Sequence, residues 1–548
     1  MKVIGYSSFN HDASISLVED GKILACYAEE RFSRDKYNVF STPKLGLEQL
    51  CKDYNFQLSD NDVVVAAAVP VWTNDQFLEY ILQHKKEVAV YDHHYCHAIG
   101  AYLTSGFKEK TLIVTFDSTS STNWFKDKIT KKDLFAEQGY KSNYFNVYLG
   151  EGNNIELVKK VDGAPYNYYK QYWNTLNNIT GFWHIITVDG FGFKTKDEGK
   201  VMGLAPQGKF DLDLYNRLKK YFNFEHTNSS VFAHELHHYL KPEGWFEDEQ
   251  KKRDFAYTLQ RLSEDFIVDC VAELQKQYPE YKKLVLAGGF FANVKANQRL
   301  NEYLSFEELY IMPPMGDDGL SIGAALAKAK EIMPIENKRW DNAFLGKGYT
   351  NDEIWEELKN KPNLVIKPLD HKYLAQKLSE GLLVGVFRGR AEYGPRALGN
   401  RTILCDPRKQ ENHAYINRKL GRNEIMPFAP IVMSEYISDI CYAYKSLRAA
   451  EFMTLCYTVK EKWIDKIPAV VQKDDASCRS QVIVKERNPF SWEVLNEFHS
   501  ITGVPVLLNT SFNIHGEPIV NHPSHVIKHL ENNVIDILVL NNMVVELK

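Results

Sequence analysis

Two groups of side chains in this 548-residue chain have types and spacings that can do chemistry. The first is His93-x-x-x-His97. Its spacing of four puts both imidazoles on one face of a helix, which the pattern predicts over His93 to Thr104, after the strand-like Val88 to Tyr91. Two imidazoles on one helical face are half of a metal site; the competing reading is that one histidine caps the helix and the other packs against it. Asp117 ends the strand-like run Leu112 to Phe116, and Asp317 stands in Met315-Gly316-Asp317-Asp318-Gly319 ahead of a predicted helix, Gly319 to Ile332. Together they would complete a set of two histidines and two carboxylates, with His94 and Asp318 outside it. Mixed imidazole and carboxylate donors suit Fe2+, Mn2+ or Zn2+ better than Ca2+ or a thiophilic ion.

The second group is arginine-rich. The segment Glu392 to Arg401 packs Arg396 and Arg401 into a glycine- and proline-shaped turn that can close around a phosphate. Arg388, Arg390, Arg408, Arg418, Arg422 and Arg479 accompany it, and Asn509-Thr510-Ser511-Phe512-Asn513 follows a buried strand. The planar guanidinium fork suits bidentate phosphate contact, so the pattern predicts a polyphosphate, or a phosphate plus carboxylate, as ligand. A solvated basic face is the plainer alternative.

Three smaller features stand beside these. His11-Asp12 in a tight turn between strands can form a general base with its orienting carboxylate, or can simply serve the turn. Gly288-Gly289 with Asn293 and Asn297 reads as a glycine turn into a helix whose free amides can face a phosphate or ribose. Glu198 to Pro206, which contains Lys200, has the small residues of a backbone that passes close to something, or of an ordinary packing turn.

The elements that must position these residues follow a mixed α/β pattern. Val3 to Phe9, Ala13 to Val18 and Ile23 to Tyr27 predict a hairpin and a third strand. Leu112 to Phe116 and Lys283 to Ala287 are buried-strand runs whose ends carry the polar residues, as ligand sites in α/β proteins do. Helicity ends at Met333-Pro334, and the irregular stretch to Thr350 places a domain boundary near residue 340, giving domains 1–340 and 341–548. The second domain opens with helices over Asn351 to Lys359 and Lys372 to Glu380. Its strands are predicted at Leu383 to Phe387, Val504 to Leu508, Ile535 to Leu540 and Met543 to Leu547. No internal repeat or low-complexity tract is visible.

The composition, 44% hydrophobic and 25% charged, supports at least two buried cores. A net charge of -5 excludes a global positive field for tight nucleic-acid binding. Eight cysteines without a C-x-x-C pair point away from a secreted disulfide scaffold, so a reducing cytoplasm is expected. No targeting or membrane-anchoring segment is expected, and the apolar run Val63 to Trp72 is too short to span a bilayer.

The residues resemble the O-carbamoyltransferases of the NodU/CmcH type nearly end to end. The resemblance rests on His11 to Ser14, Glu29-Glu30-Arg31-Phe32, His93-x-x-x-His97-Ala98, Asp117, Gly199 to Pro206, Gly288-Gly289 with Asn293, Asp317-x-Gly319, the arginine turn, Pro427-Phe428-Ala429-Pro430 and Asn509 to Asn513. It implies an N-terminal domain of the duplicated actin-like, or ASKHA, type and a YrdC-like mixed α/β C-terminal domain. The C-terminal domain would make carbamoyladenylate from carbamoyl phosphate and ATP with Mg2+. The first domain would move the carbamoyl group to an acceptor hydroxyl, with His93, His97, Asp117 and Asp317 holding an iron-like divalent ion. His11, Asp12 and Lys200 are expected to be catalytic. Gly288, Gly289, Asn293, Arg390, Arg396, Arg401, Arg422, Arg479, Asn509, Ser511 and Asn513 are expected to bind substrates. The chain departs from the family at Ser118 to Ser121, where relatives have glycines, and at Tyr37, Asn423 and Met426.

The acceptor is expected to be a sugar or natural-product hydroxyl, or a hydroxymethylated nucleotide or nucleic acid. The latter reading comes from residues 122–184, where Trp124, Phe125, Tyr140, Tyr144, Phe145, Tyr148, Tyr166, Tyr168, Tyr169, Tyr172 and Trp173 alternate with lysines that can track a phosphate chain. A kinase-like phosphotransferase and a non-catalytic nucleotide-binding scaffold are the competing functions, and a homodimer is left open.

Overall fold

The structure is a computed structural model that describes residues 1–8, 12–36, 41–68, 76–121, 128–131, 142–162, 178–222, 233–422, 426–442 and 445–548. His11, Tyr37, Asn423 and most of the aromatic stretch lie outside the described residues. The chain divides into two compact units, residues 1–24 with 39–340, and residues 25–38 with 341–548.

The first unit is built on two sheets with one strand order. In the first, Lys22–Ala28, Ser14–Glu19, Lys2–Ser7, Val63–Ala68, Glu87–Tyr91 and Lys128–Thr130 lie side by side in that sequence. In the second, Asn154–Asp162, Ser142–Glu151, Thr111–Ser121, Lys283–Ala287 and Glu308–Ile311 follow the same plan. Each has an antiparallel partner on one side of its first strand and two successive parallel partners on the other. This duplication is the actin-like arrangement that the resemblance implies. The repeat absent from the residue pattern is therefore present in the topology, because packing constrains strand order and burial rather than particular side chains.

A helix follows the fifth strand of each repeat: His93–Ser105 after the first and Leu320–Ile332 after the second. Each is buried along most of its length, the first even at its histidines and the second up to Ala329. They touch backbone to backbone. A side-chain carbon at Gly323 would fall 2.0 Å from the Cys96 carbonyl oxygen, and one at Gly100 would fall 3.3 Å from the Gly323 Cα. Ala66, Ala68 and Ala89 from the first sheet pack with Cys96, Leu320 and Ala324 from these helices. Small residues thus bring the helix bearing the histidines against the helix that follows Asp317.

The second unit carries an eight-stranded mixed sheet in the order Leu364–Pro368, Met543–Leu547, Ile537–Leu540, Val384–Phe387, Arg401–Cys405, Val506–Ser511, Ala429–Met433 and Gln481–Ile483. Residues 25–38, which include the last four residues of the strand Lys22–Ala28, belong with this unit, although the boundary read from the sequence assigns them to the first domain. The reason is local bonding. The Cys26 amide donates to the Leu345 carbonyl at 2.9 Å, and Arg31 and Arg34 donate to carbonyls of Gly394, Pro518 and Ile519.

Candidate active site

The helix His93–Ser105 starts where Asp92 caps it, the Asp92 carboxylate accepting from the Tyr95 amide at 3.0 Å. This fixes His93 at the first helical position and His97 one turn on. Asp117 lies on the strand Thr111–Ser121 where the pairing register shifts between Phe116 and Ser120, the kind of irregularity that re-aims a side chain. Gly288 follows the neighbouring strand with φ +105°, and a side chain there would strike the Phe116 carbonyl 2.2 Å away. That close approach lets the Gly289 amide donate to Asp117 Oδ2 at 3.0 Å. Asp317 opens the short turn ahead of the helix Leu320–Ile332.

These elements bring the four side chains together. Asp117 Oδ2 lies 3.7 Å from His93 Nε2 and 3.4 Å from His97 Nε2. Asp317 Oδ1 lies 3.6 Å and 3.8 Å from the same two nitrogens. All four donor atoms fall within 4.8 Å of one another. Ligands bound at about 2.1 Å around a tetrahedral ion stand about 3.4 Å apart, so the spacing fits a small divalent cation. His97 supplies the independent test: both its ring nitrogens are buried and make no hydrogen bond. A buried polar atom left so is costly unless something else satisfies it, and an ion at the centre of the cluster would do that for Nε2, the nitrogen that faces Asp117 and Asp317.

The electrostatics agree. Burial alone would lower the His93 pKa, but Asp317 and Asp117 outweigh it and raise it to about 9. Burial would raise the Asp117 carboxyl, yet His93 and His97 hold it well below the usual carboxylate range. The cluster is an anionic pair that demands positive charge, as protons or as a metal.

His94, set aside in the sequence reading, ties the helix to the strand of Asp117. Its Nδ1 meets the Thr115 hydroxyl at 2.8 Å and its Nε2 meets the Asn143 carbonyl at 3.4 Å. A carbonyl only accepts, so Nε2 carries the proton and Thr115 donates to Nδ1. Burial, then the neighbouring His93 and His97, hold its pKa well below the ordinary value and keep it neutral.

The arginine turn is built differently. Its centre is Glu392, buried, whose Oε1 accepts from the amides of Leu398, Asn400 and Arg401 at 2.7, 2.8 and 3.0 Å. The amides of the turn that sequence reasoning closed around a phosphate face a carboxylate of the chain itself. Arg401 is fully buried and donates to the carbonyls of Arg388, Gly389, Lys347 and Asn400, with its guanidinium 3.7 Å from the Phe387 ring centroid. Arg390 donates to the Gly346 and Leu345 carbonyls. Asn509 bridges Thr402, Gln481 and the Ala397 carbonyl. Arg422 gathers Thr510, Ser511 and Asn513 through five contacts of 2.8 to 3.3 Å. Arg479 is unlike these: its guanidinium makes no hydrogen bond or ion pair among the described residues, and burial lowers its pKa. Glu392 was visible as the first residue of the motif; only its burial reveals its role.

Two family models cover most of the chain. Carbamoyltransferase N-terminus matches residues 2–87 and 81–326, and Carbamoyltransferase C-terminus matches residues 375–547. The chain belongs to the carbamoyltransferase family. An uncharacterized protein of Methanocaldococcus jannaschii is 31% identical over 85% of this chain and 74% of its own length. Nodulation protein NolNO of Sinorhizobium fredii is 28% identical over 98% of this chain and 79% of its own. Nodulation protein NolO of Bradyrhizobium diazoefficiens is 28% identical over 82% and 77%.

In this carbamoyltransferase the remaining predicted residues are placed as follows. Asp12 pairs with Lys196, whose own backbone is left-handed at φ +71°, a conformation nothing in the sequence foretold. Lys200 stands on a helix, Glu198–Leu204, rather than a turn, and its ammonium meets Asp197 at 2.9 Å. Asn293 caps the helix Val294–Tyr303 and exchanges amide hydrogen bonds with Gln260, so its polar atoms serve the fold. Tyr144, Phe145 and Tyr148 of the aromatic stretch are core residues of the strand Ser142–Glu151. Among the described residues, no helix is long and apolar enough to cross a membrane.

Proposed function

We propose that this carbamoyltransferase is an ATP-dependent O-carbamoyltransferase whose two units run successive reactions. In the second unit, water cleaves carbamoyl phosphate to carbamate and inorganic phosphate, and a carbamate oxygen then bonds to the α-phosphorus of ATP, held with Mg2+, giving carbamoyladenylate and releasing pyrophosphate. In the first, the acceptor oxygen bonds to the carbamoyl carbon, AMP leaves, and the acceptor's proton passes to a base, for which His11 is the candidate.

The observation that carries the reading is the buried cluster of His93, His97, Asp117 and Asp317 with its unsatisfied His97 nitrogens. These residues would hold a divalent ion, Fe2+, Mn2+ or Zn2+, which when bound supplies Lewis acidity toward oxygen. The chain's own contribution is to fix the donor atoms in advance: Gly289 orients Asp117, and His94 holds the histidine helix against that strand. On the donor side Arg396, Arg479 and the Arg422, Ser511 and Asn513 group would contact phosphate oxygens. Arg401, Arg390 and Asn509 would shape the turn instead. A mixed anhydride hydrolyses readily, so activation and transfer within one chain limit its loss to water.

A small hydroxyl acceptor, such as a sugar, fits better than a nucleic acid, because three aromatics of the proposed base-stacking stretch are committed to the core. Mass spectrometry of candidate alcohols, sugars and hydroxymethylated oligonucleotides incubated with enzyme, ATP and carbamoyl phosphate tests this. An ATP-dependent carbamoyl mass gain on a small alcohol is expected. Phosphate on the acceptor without carbamoyl phosphate would overturn the reading.

A further inference from the structure

The segment Glu29-Glu30-Arg31-Phe32 is part of the family resemblance, yet none of the chemistry above uses it. Its place in the fold gives it one. Residues 25–38 join the second unit and form there a single helical turn, Glu29–Ser33, with Arg31 buried at 7% exposure. Arg31 Nη2 donates to the Gly394 carbonyl at 3.1 Å, inside the arginine turn and two residues before Arg396. Gly394 has φ +112°, a conformation that L side chains rarely adopt, so glycine is needed at the point where Arg31 holds the turn. Arg34 Nη1 donates to the Ile519 carbonyl and Nη2 to the Pro518 carbonyl, both at 2.7 Å. That loop leaves the strand bearing Ser511 and is closed by the Val520 amide on the Phe512 carbonyl at 3.0 Å.

Arg34 also occupies a backbone position where glycine is the ordinary choice. It terminates the short helix in the left-handed conformation, φ +61°, with its amide on the Glu30 carbonyl. An arginine there carries a steric cost that glycine does not. What the arginine adds is a fork that spans two consecutive carbonyls, which neither glycine nor lysine reproduces.

We propose that residues 25–38 act as a clamp on the donor-activating site, with Arg31 and Arg34 as positioning residues. Arg31 sets the turn that presents Arg396, and Arg34 sets the loop that follows Ser511 and Asn513. The proposal rests on the donor reaction assigned above to the second unit. The donor site therefore depends on a piece of chain 363 to 485 residues upstream of the carbonyls it holds.

The test uses the full chain and follows pyrophosphate release from ATP and carbamoyl phosphate. Arg31→Met, Arg34→Ala and Arg34→Gly should each raise the KM for carbamoyl phosphate about tenfold while kcat changes less, the loss expected for one or two charge-assisted hydrogen bonds. The metal content of the His93 cluster should stay at the wild-type level. Arg34→Gly relieves the left-handed strain, so it should unfold at a higher temperature than Arg34→Ala yet share its KM. Arg34→Lys should not rescue. Wild-type KM in all variants, or KM values that simply track thermal stability, would overturn the clamp. Absence of pyrophosphate release from the wild-type enzyme would instead remove the donor reading itself.

Discussion

The histidine and aspartate cluster of the first unit and the arginine turn of the second both look like chemistry, but their hydrogen bonding differs. In the first, buried donor atoms converge and the His97 nitrogens are left unsatisfied. In the second, the charged groups that shape the turn are already engaged: Glu392 by three amides and Arg401 by four carbonyls. A polar motif whose partners lie within the chain is architecture; one whose partners are missing is a site. By that criterion His93, His97, Asp117 and Asp317 form the candidate site of the first unit, and Arg479 is the candidate ligand-facing group among the arginines whose partners are described.

The largest effects should come from the cluster. His97→Ala and Asp117→Asn should each abolish stoichiometric metal binding, measured by elemental analysis, and lower carbamoyl transfer by at least about 100-fold. An unchanged metal content would erase the contrast between the two regions. Next come the residues that shape the turn. Arg401→Met leaves four carbonyls without their buried donor, and Glu392→Ala leaves three amides without an acceptor. Each should cost about 3 kcal/mol in denaturant unfolding of the second unit, with metal content intact. Arg479→Ala should do the reverse, slowing pyrophosphate release at least about tenfold with little change in stability. If Arg479→Ala proved as destabilising as Arg401→Met, the distinction between ligand-facing and structural arginines would fail.

The cluster also predicts a pH dependence. In the metal-free protein His93 titrates at about 9, above its unfolded value of about 6.5. Its stabilising contribution is therefore complete below about pH 6.5 and disappears as pH rises through 9. Asp117 is held below its unfolded value of about 3.9, so its contribution is present above that pH and is lost as pH falls. Metal-free protein should be most stable between roughly pH 4 and 6.5. Because metal must displace the His93 proton, its affinity should rise about tenfold from pH 7 to pH 8. A flat affinity profile in titration calorimetry would contradict this electrostatic assignment. The smallest effect is expected at Asn293→Ala, about 1 kcal/mol from loss of a helix cap, with pyrophosphate release unchanged.

Much of the first unit could be read from residues alone. Periodicity located the helix of His93 and His97 and the strand before Asp117, since a buried helix and a buried strand each impose a recognisable spacing. The duplicated strand order was not legible, because the second and third strands of the second repeat, Ser142–Glu151 and Asn154–Asp162, fall largely in a stretch whose aromatics suggested a binding surface. Long-range bonds explain the other differences. Asn293 looks like a ligand residue until Gln260 is seen beside it, and Arg401 looks like a phosphate grip until four carbonyls surround it. The left-handed Lys196, its pairing with Asp12 and the placement of residues 25–38 depend on contacts made hundreds of positions away or on backbone angles no pattern encodes.

The central claim is that activation and transfer are separate reactions of separate units. It is tested most directly with His97→Ala full-length protein supplied with ATP, carbamoyl phosphate and a working acceptor, following pyrophosphate and carbamoylated acceptor in the same reaction. The account predicts that pyrophosphate release continues while acceptor carbamoylation falls to background. Loss of both products together, or retention of both, would contradict it.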